Sequence, residues 1–223
     1  MNRDVPGYAA GMTGKDVLRR VLDEAGRTFA EEARIKLADK PAPLYQLLVL
    51  SVLLSTRIKA ELAVSAAREL FKAGFRTART MAESGWQERV DALGRAHYKR
   101  YDEQTATALG EGAELALERY SGDLRKLRSK AGRDPDTIKE LLTEFPRLGP
   151  VGADIFAREA QLVWPEFRPH LDKKALQGAE RVGLPGDVSQ LARLVDGDEL
   201  AVLAAALVRL SLDSRLAKKV HPR

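Results

Sequence analysis

The chain has 223 residues, 44% hydrophobic and 31% charged, the composition of an ordinary soluble globular protein and too apolar for disorder on any scale. Thirty-seven Lys and Arg against thirty-two Asp and Glu leave a formal net charge of +5, which favours an anionic partner. With no cysteine there is no disulfide, no thiolate-bound zinc, no Cys-ligated iron–sulfur cluster and no thiol nucleophile; the three histidines show no ligand spacing, so neither metal nor cofactor is expected.

Residues 1–12 read as a loose leader without the apolar core of a signal peptide, and the most hydrophobic run, Leu44 to Leu54, is too short to span a bilayer. A cytoplasmic protein with no membrane partner is expected. Thr13 and Asp16 cap a helix whose Val17, Val21, Leu22 and Ala25 share one side, and Phe29, Ala33 and Leu37 continue the helical spacing. Pro41 and Pro43 are expected to connect two lobes. Leu44 to Leu54 then reads as a central helix covered on all sides, richer in leucine than a buried strand and longer.

After the basic turn Ser55-Thr56-Arg57-Ile58-Lys59, a helix is expected over 60–71 with Gly74 as its stop, and a short one over 77–83. Ser84 and Gln87 have capping-box spacing ahead of Trp86, Val90 and Leu93. Arg95 to Tyr101 interleaves basic residues with aromatics at the expected start of a helix running to about Tyr120, with Tyr98 and Tyr101 inward and Lys99 and Arg100 outward. Arg125, Lys126, Arg128, Lys130 and Arg133 read as a solvated positive face. Near the C-terminus, Leu176, Ala179 and Val182 make a short amphipathic helix. Asp187 with Gln190 caps another, and Leu200, Leu203, Leu207 and Leu210 build one last long helix reaching Lys218 and Lys219. No segment alternates as a strand does, so the chain is expected to be all-α.

The stretch from Asp134 to Asp172 organises the rest. Asp134 is an N-cap with Pro135 at the first helical position, and Ile138, Leu141 and Leu142 recur at helical spacing until Phe145-Pro146. Leu148-Gly149-Pro150-Val151-Gly152 makes a tight turn, and Ala153, Phe156, Ala157 and Ala160 begin a second apolar face that closes at Trp164-Pro165. Such a turn presents free N–H groups and the positive end of a helix dipole to one spot, which suits a phosphate; a plain helical corner would look the same in sequence.

This order of parts resembles the helix–hairpin–helix DNA glycosylases of the endonuclease III and adenine-mismatch glycosylase type, over roughly Leu44 to Val182. Leu53-Leu54-Ser55-Thr56-Arg57 looks like the family's "LLS" turn, with Arg57 at the position that wedges into the duplex. Phe145 to Ala153 is similar to the family's L-P-G-V-G-x-K/S-T-A hairpin, at about 134–164, and Leu171-Asp172-Lys173-Lys174 matches the motif of its catalytic aspartate. The chain departs from the pattern in three places. Val151 stands where bifunctional members carry a nucleophilic lysine, Arg147 replaces the first hairpin glycine, and the Cys-rich cluster loop is absent.

The resemblance implies a two-lobed all-α fold, residues 1–43 plus 169–223 forming one lobe and 44–168 the other, with a cleft between them. It implies double-stranded DNA, damaged or mismatched, as partner, with no obligate protein partner evident, and nucleoid association when DNA is bound. It implies monofunctional hydrolysis of an N-glycosidic bond on a flipped nucleotide, with Asp172 catalytic. Arg57 would fill the gap left by the base. Arg147 and the amides of Gly149, Val151 and Gly152 would lie at the phosphates, with Lys99, Arg100, Lys173 and Lys174 as further contacts. A catalytically inactive DNA-binding module of the same fold is the alternative; read alone, Asp172 is equally an ordinary helix cap.

Overall fold

The computed structural model describes residues 12–221, so most of the leader read at residues 1–12 lies outside the described residues. These residues fold into helices without a strand among them. In chain order the α-helices are α1 (Gly14–Ala25), α2 (Phe29–Glu32), α3 (Pro41–Ser55), α4 (Ala60–Lys72), α5 (Ala78–Ala82), α6 (Trp86–Arg95) and α7 (Asp102–Tyr120). There follow α8 (Leu124–Lys130), α9 (Pro135–Leu142), α10 (Pro150–Ala160), α11 (Lys173–Arg181), α12 (Val188–Ala192), α13 (Leu200–Leu212) and α14 (Ser214–Val220). Among the described residues no helix is long and apolar enough to cross a membrane.

The described residues divide into two compact units, one made of those up to Thr28 and from Arg168 onward, the other of Phe29–Phe167. The first unit is built on α13, whose Leu200, Leu203, Leu207 and Leu210 are all buried, and α1, α11 and α14 pack on it. Thr13 and Asp16 start α1 reciprocally: the Asp16 amide donates to the Thr13 hydroxyl at 3.3 Å and Asp16 Oδ2 accepts the Thr13 amide at 3.0 Å. Helix α11 approaches α13 so closely that a Cβ at Gly178 would lie 1.8 Å from the Leu207 carbonyl oxygen. The single long helix expected at the C-terminus is two. Asp213 Oδ1 accepts the amides of Arg215 and Leu216 at 2.8 and 3.1 Å, so a local N-cap interrupts the leucine pattern.

The second unit is built on α3, buried along most of its length from Leu44 to Leu53 and packed by α4, α8 and α10. Pro41 is not a connector: Pro41 and Pro43 lie in the first turn of α3, where a missing N–H costs nothing and the fixed φ suits a helix. Nor does helical spacing persist from Phe29 to Leu37. The helix is one turn, ended by Arg34 at φ 60° with the Ile35 amide on the Ala30 carbonyl. The segment 29–43, read from sequence with the terminal lobe, is held to the second unit by side chains. Glu159 Oε2 accepts the Ala30 amide at 2.8 Å, and Asp39 accepts Trp164 Nε1 at 2.9 Å and Arg128 Nη1 at 3.1 Å.

Residues 96–101 form a loop and not the start of the next helix, because His97 and Tyr101 take left-handed φ values of 60° and 71°. Tyr98 alone of the two tyrosines is fully buried, its hydroxyl 3.1 Å from Thr105 Oγ1. The cap of α6 also falls one residue later than expected. Glu88 takes the Gly85 amide at 2.7 Å, while the Ser84 hydroxyl donates to the Met81 carbonyl. Buried Arg89 joins these pieces, donating to the carbonyls of Ala106, Met81 and Ser84 at 2.9, 3.2 and 2.7 Å and thereby fixing α5, α6 and α7 to one another.

Basic α8 is only partly a solvated face. Arg128 is largely covered, paired with Glu166 through Nη2–Oε2 at 2.7 Å and stacked over Trp164 at 5.2 Å. Partial burial pushes the Glu166 carboxyl up, but the Arg128 hydrogen bonds and charge hold it below the ordinary value overall. A depressed folded pKa adds stability that is fully present above the unfolded value and is lost as pH falls through the folded one. Thermal stability should therefore decline below about pH 4, and Glu166→Gln should flatten part of that decline in a pH series of melting curves. Gly178→Ala should destabilise the first unit by about 3 kcal/mol, since backbone meets Cβ and neither helix can yield locally, read as a fall in Tm of roughly 6–12 °C.

Candidate nucleic-acid interface

Asp134 opens the hairpin as its sequence suggests: Oδ2 accepts the Thr137 amide at 2.8 Å and the Thr137 hydroxyl at 2.7 Å, and these bonds hold the carboxyl below its ordinary pKa. Ile138 and Leu142 of α9 are fully buried. The turn runs from Thr143 to Gly149, and Pro150 is the first residue of α10, with Gly149 as N-cap. Proline there surrenders no hydrogen bond, and the next amides are those that a helix leaves without an internal partner. Among the described residues no acceptor takes the N–H of Gly149, Val151 or Gly152.

The two hairpin glycines serve different ends. A Cβ on Gly152 would lie 2.7 Å from Leu148 Cδ1 and 3.4 Å from Ser55 Cβ, so glycine lets α10 lie close to the end of α3. A Cβ on Gly149 would meet nothing within 4 Å, and Gly149 has φ −56°, which any residue adopts. Packing and backbone therefore leave position 149 open; its bare Cα keeps an approach to the neighbouring amides clear. Val151 is 66% exposed beside them.

The one left-handed residue of the turn is Arg147, at φ 61°. Its carbonyl accepts the Ser55 hydroxyl at 3.4 Å, which ties the hairpin to the turn after α3. Its guanidinium donates to Gln104 Oε1 at 2.8 Å and lies 5.8 Å from the centre of the Tyr101 ring, over which Arg100 also sits at 4.9 Å. The structure thus brings together Arg147, Arg100, the hairpin amides and the turn that carries Arg57. Arg57, Lys99 and Arg100 are exposed, and none makes an ion pair among the described residues. Elsewhere in this unit Arg95, Arg119, Arg125, Arg128 and Lys139 are paired with carboxylates. Tyr101 and Gln104, which position Arg147, have no marker in the sequence beyond the aromatic interleaving at 95–101.

Asp172 belongs to the first unit. It is the N-cap of α11, half-buried, with Oδ1 accepting the Ala175 amide at 2.9 Å, so the carboxylate is fixed at the positive end of that helix. Lys173 and Lys174 follow it, exposed and without an ion pair among the described residues. A cation in a first turn opposes the helix dipole, a cost that a bound anion would remove.

Arg147→Gly should change stability by no more than about 1 kcal/mol. Relief of the left-handed strain is offset by the freedom glycine gains in the unfolded chain and by loss of the contact with Tyr101. Denaturant titration of both proteins reads this directly.

No family model matches the chain, and no curated protein matches it. Among solved structures it is similar to an endonuclease III trapped as a covalent intermediate with DNA in an estranged-adenine complex. The identity is 17% and the TM-score 0.47, over 88% of this chain and 85% of that one. It is similar also to an endonuclease III in a non-covalent complex with DNA, at 17% identity and a TM-score of 0.48 over the same shares. At this level the likeness assigns no role to any residue of the chain.

Proposed function

We propose that the protein binds duplex DNA through the hairpin and hydrolyses the N-glycosidic bond of a damaged or mismatched base turned out of the stack. The observation that carries this reading is the convergence on one hairpin of unpaired cations and uncommitted backbone amides. Phosphates take N–H donors at helix N-termini and guanidinium groups for the same reason: both present positive charge with directed donors. Arg57, on the turn tied to the hairpin, would fill the space left by the base, and Lys99, Arg100 and Arg147 would contact backbone phosphates.

In the first unit Asp172 supplies the carboxylate. As the base departs, positive charge builds on the sugar, and a carboxylate held near the anomeric carbon lowers that barrier electrostatically and orients the attacking water. The cap bond to the Ala175 amide fixes its direction beforehand. Val151 offers no amine, so no Schiff base forms at that position and strand cleavage by that route does not follow. Lys173 and Lys174 would neutralise phosphates of the same duplex. The second reading, a DNA-binding module without catalysis, is favoured by Val151, an exposed apolar side chain beside the amides.

The deciding experiment is single-turnover base release from duplexes carrying alkylated, oxidised, deaminated or mismatched bases, with alkali added afterwards to cut at abasic sites. Asp172→Asn keeps a good cap while removing the charge, so it should bind as the wild type does and release base about 100-fold more slowly or worse. If both proteins bind and neither releases any base across the panel, the binding module replaces the hydrolase. Arg147→Gly should weaken duplex binding and lower the salt slope by about 1, whereas Arg57→Ala should weaken binding with a smaller change of slope.

A further inference from the structure

A groove of about 580 Å³ opens on the second unit, lined by Arg34, Arg68, Lys72 and Arg76 together with Gln46 and Glu69 among others. The turn that carries Arg57 leads into the start of α4, whereas Arg68 and Lys72 lie about 12 and 18 Å further along that helix by its rise per residue. The hairpin interface and the groove are therefore at different ends of α4.

Two features distinguish this groove from an ordinary basic surface. The first is that two of its arginines are held in place by backbone carbonyls of other residues. Arg68 Nε donates to the Glu32 carbonyl at 2.6 Å and Arg76 Nε to the Phe71 carbonyl at 2.8 Å. The Arg76 carbonyl in turn accepts Gln46 Nε2 at 3.3 Å. Each guanidinium is thus anchored at Nε while no hydrogen bond among the described residues uses its Nη atoms, the pair of donors that matches two oxygens of an oxyanion. The second is the imbalance of charge. Four cations face the groove with one carboxylate, and Glu69 is already shared between Lys72 at 3.9 Å and Arg95 at 3.3 Å. Like charges gathered within a Debye length repel one another, and a multiply charged anion relieves that repulsion at all four at once.

We propose that this groove is a second anion site, selective for multiply charged phosphate, either a free phosphate compound or the backbone of a nucleic acid. It is separate from the hairpin and does not depend on catalysis by Asp172. Arg68 and Arg76 grip the phosphate oxygens, and Lys72 and Arg34 add charge from the rim.

The test uses the full chain and two double variants, Arg68→Gln with Arg76→Gln and Arg34→Gln with Lys72→Gln. The second pair removes no hydrogen bond to the backbone, so it decides the matter if the first pair fails to fold. Calorimetric titration with inorganic pyrophosphate at low salt is the first arm. The salt dependence of binding to an undamaged duplex is the second. Pyrophosphate binding that weakens about 10-fold or more in both variants supports the site and assigns it to free phosphate compounds. No pyrophosphate binding, but a duplex salt slope smaller by about 2 in both variants, supports the site and assigns it to nucleic-acid backbone. Equal pyrophosphate affinity and equal slopes in all three proteins overturn the proposal. Neither arm reads base release, so the groove stands or falls apart from the hydrolase reading.

Discussion

Helix α3 has no polar face: Leu44, Leu47, Leu48, Val49, Leu50, Val52 and Leu53 are all buried, so it must be covered on every side, and each such side chain gains about 1.5–3 kcal/mol from leaving water. Helices α4, α8 and α10 supply that cover. Its ends are then where polar backbone has to reach solvent or a partner, and at the C-terminal end the sequence turns polar and basic at once, Ser55-Thr56-Arg57-Ile58-Lys59. Because α10 must lie along α3, the start of α10 and the end of α3 come side by side. Gly152 makes that approach close enough, and the Ser55 hydroxyl closes it on the Arg147 carbonyl. The juxtaposition of the Arg57 turn and the hairpin amides is in this sense a consequence of how the core is covered.

The cations of the second unit divide into two populations. Arg128, with Glu166, Asp39 and the face of Trp164, holds α8 to the segments around it, and Arg89, turned inward onto three carbonyls, holds α5, α6 and α7 together. These serve the fold, and their charge is spent inside it. Of Arg57, Lys99, Arg100 and Arg147 on one side, and Arg34, Arg68, Lys72 and Arg76 at the groove on the other, only Lys72 makes an ion pair among the described residues, with Glu69. A modest net charge of +5 thus becomes two local positive fields, which is what attracts an anion; the total alone would not.

Helix starts were legible in the sequence because caps are local chemistry. Thr13, Asp134, Asp172 and Asp187 all cap where their spacing suggests. Breaks were less so. The interruptions at Arg34, His97 and Tyr101 rest on left-handed backbone in residues that are not glycine, a conformation that residue type and spacing do not disclose. Pro41 and Pro43 misled for the opposite reason, since proline punctuates a chain but is also at home in a helix's first turn. Of the hairpin interface, the turn and its glycines were visible, while Tyr101 and Gln104 were not, because they reach Arg147 only through the fold. The groove was hidden as well: Arg68 and Lys72 share a helical spacing on α4, but Arg76 lies beyond the end of that helix and Arg34 far from it in sequence, and only the fold gathers the four.

Arg147 is the residue at which backbone and side chain make opposite demands. Left-handed backbone costs a non-glycine residue about 1–2 kcal/mol, and glycine would remove that cost. The chain nevertheless has arginine there, and the guanidinium is held by Gln104 and the Tyr101 ring and not left in free solution. Holding it spends side-chain entropy as well, so neither the fold of the turn nor local stability explains the choice. What arginine adds is a fixed positive charge with directed donors beside amides that no described acceptor takes.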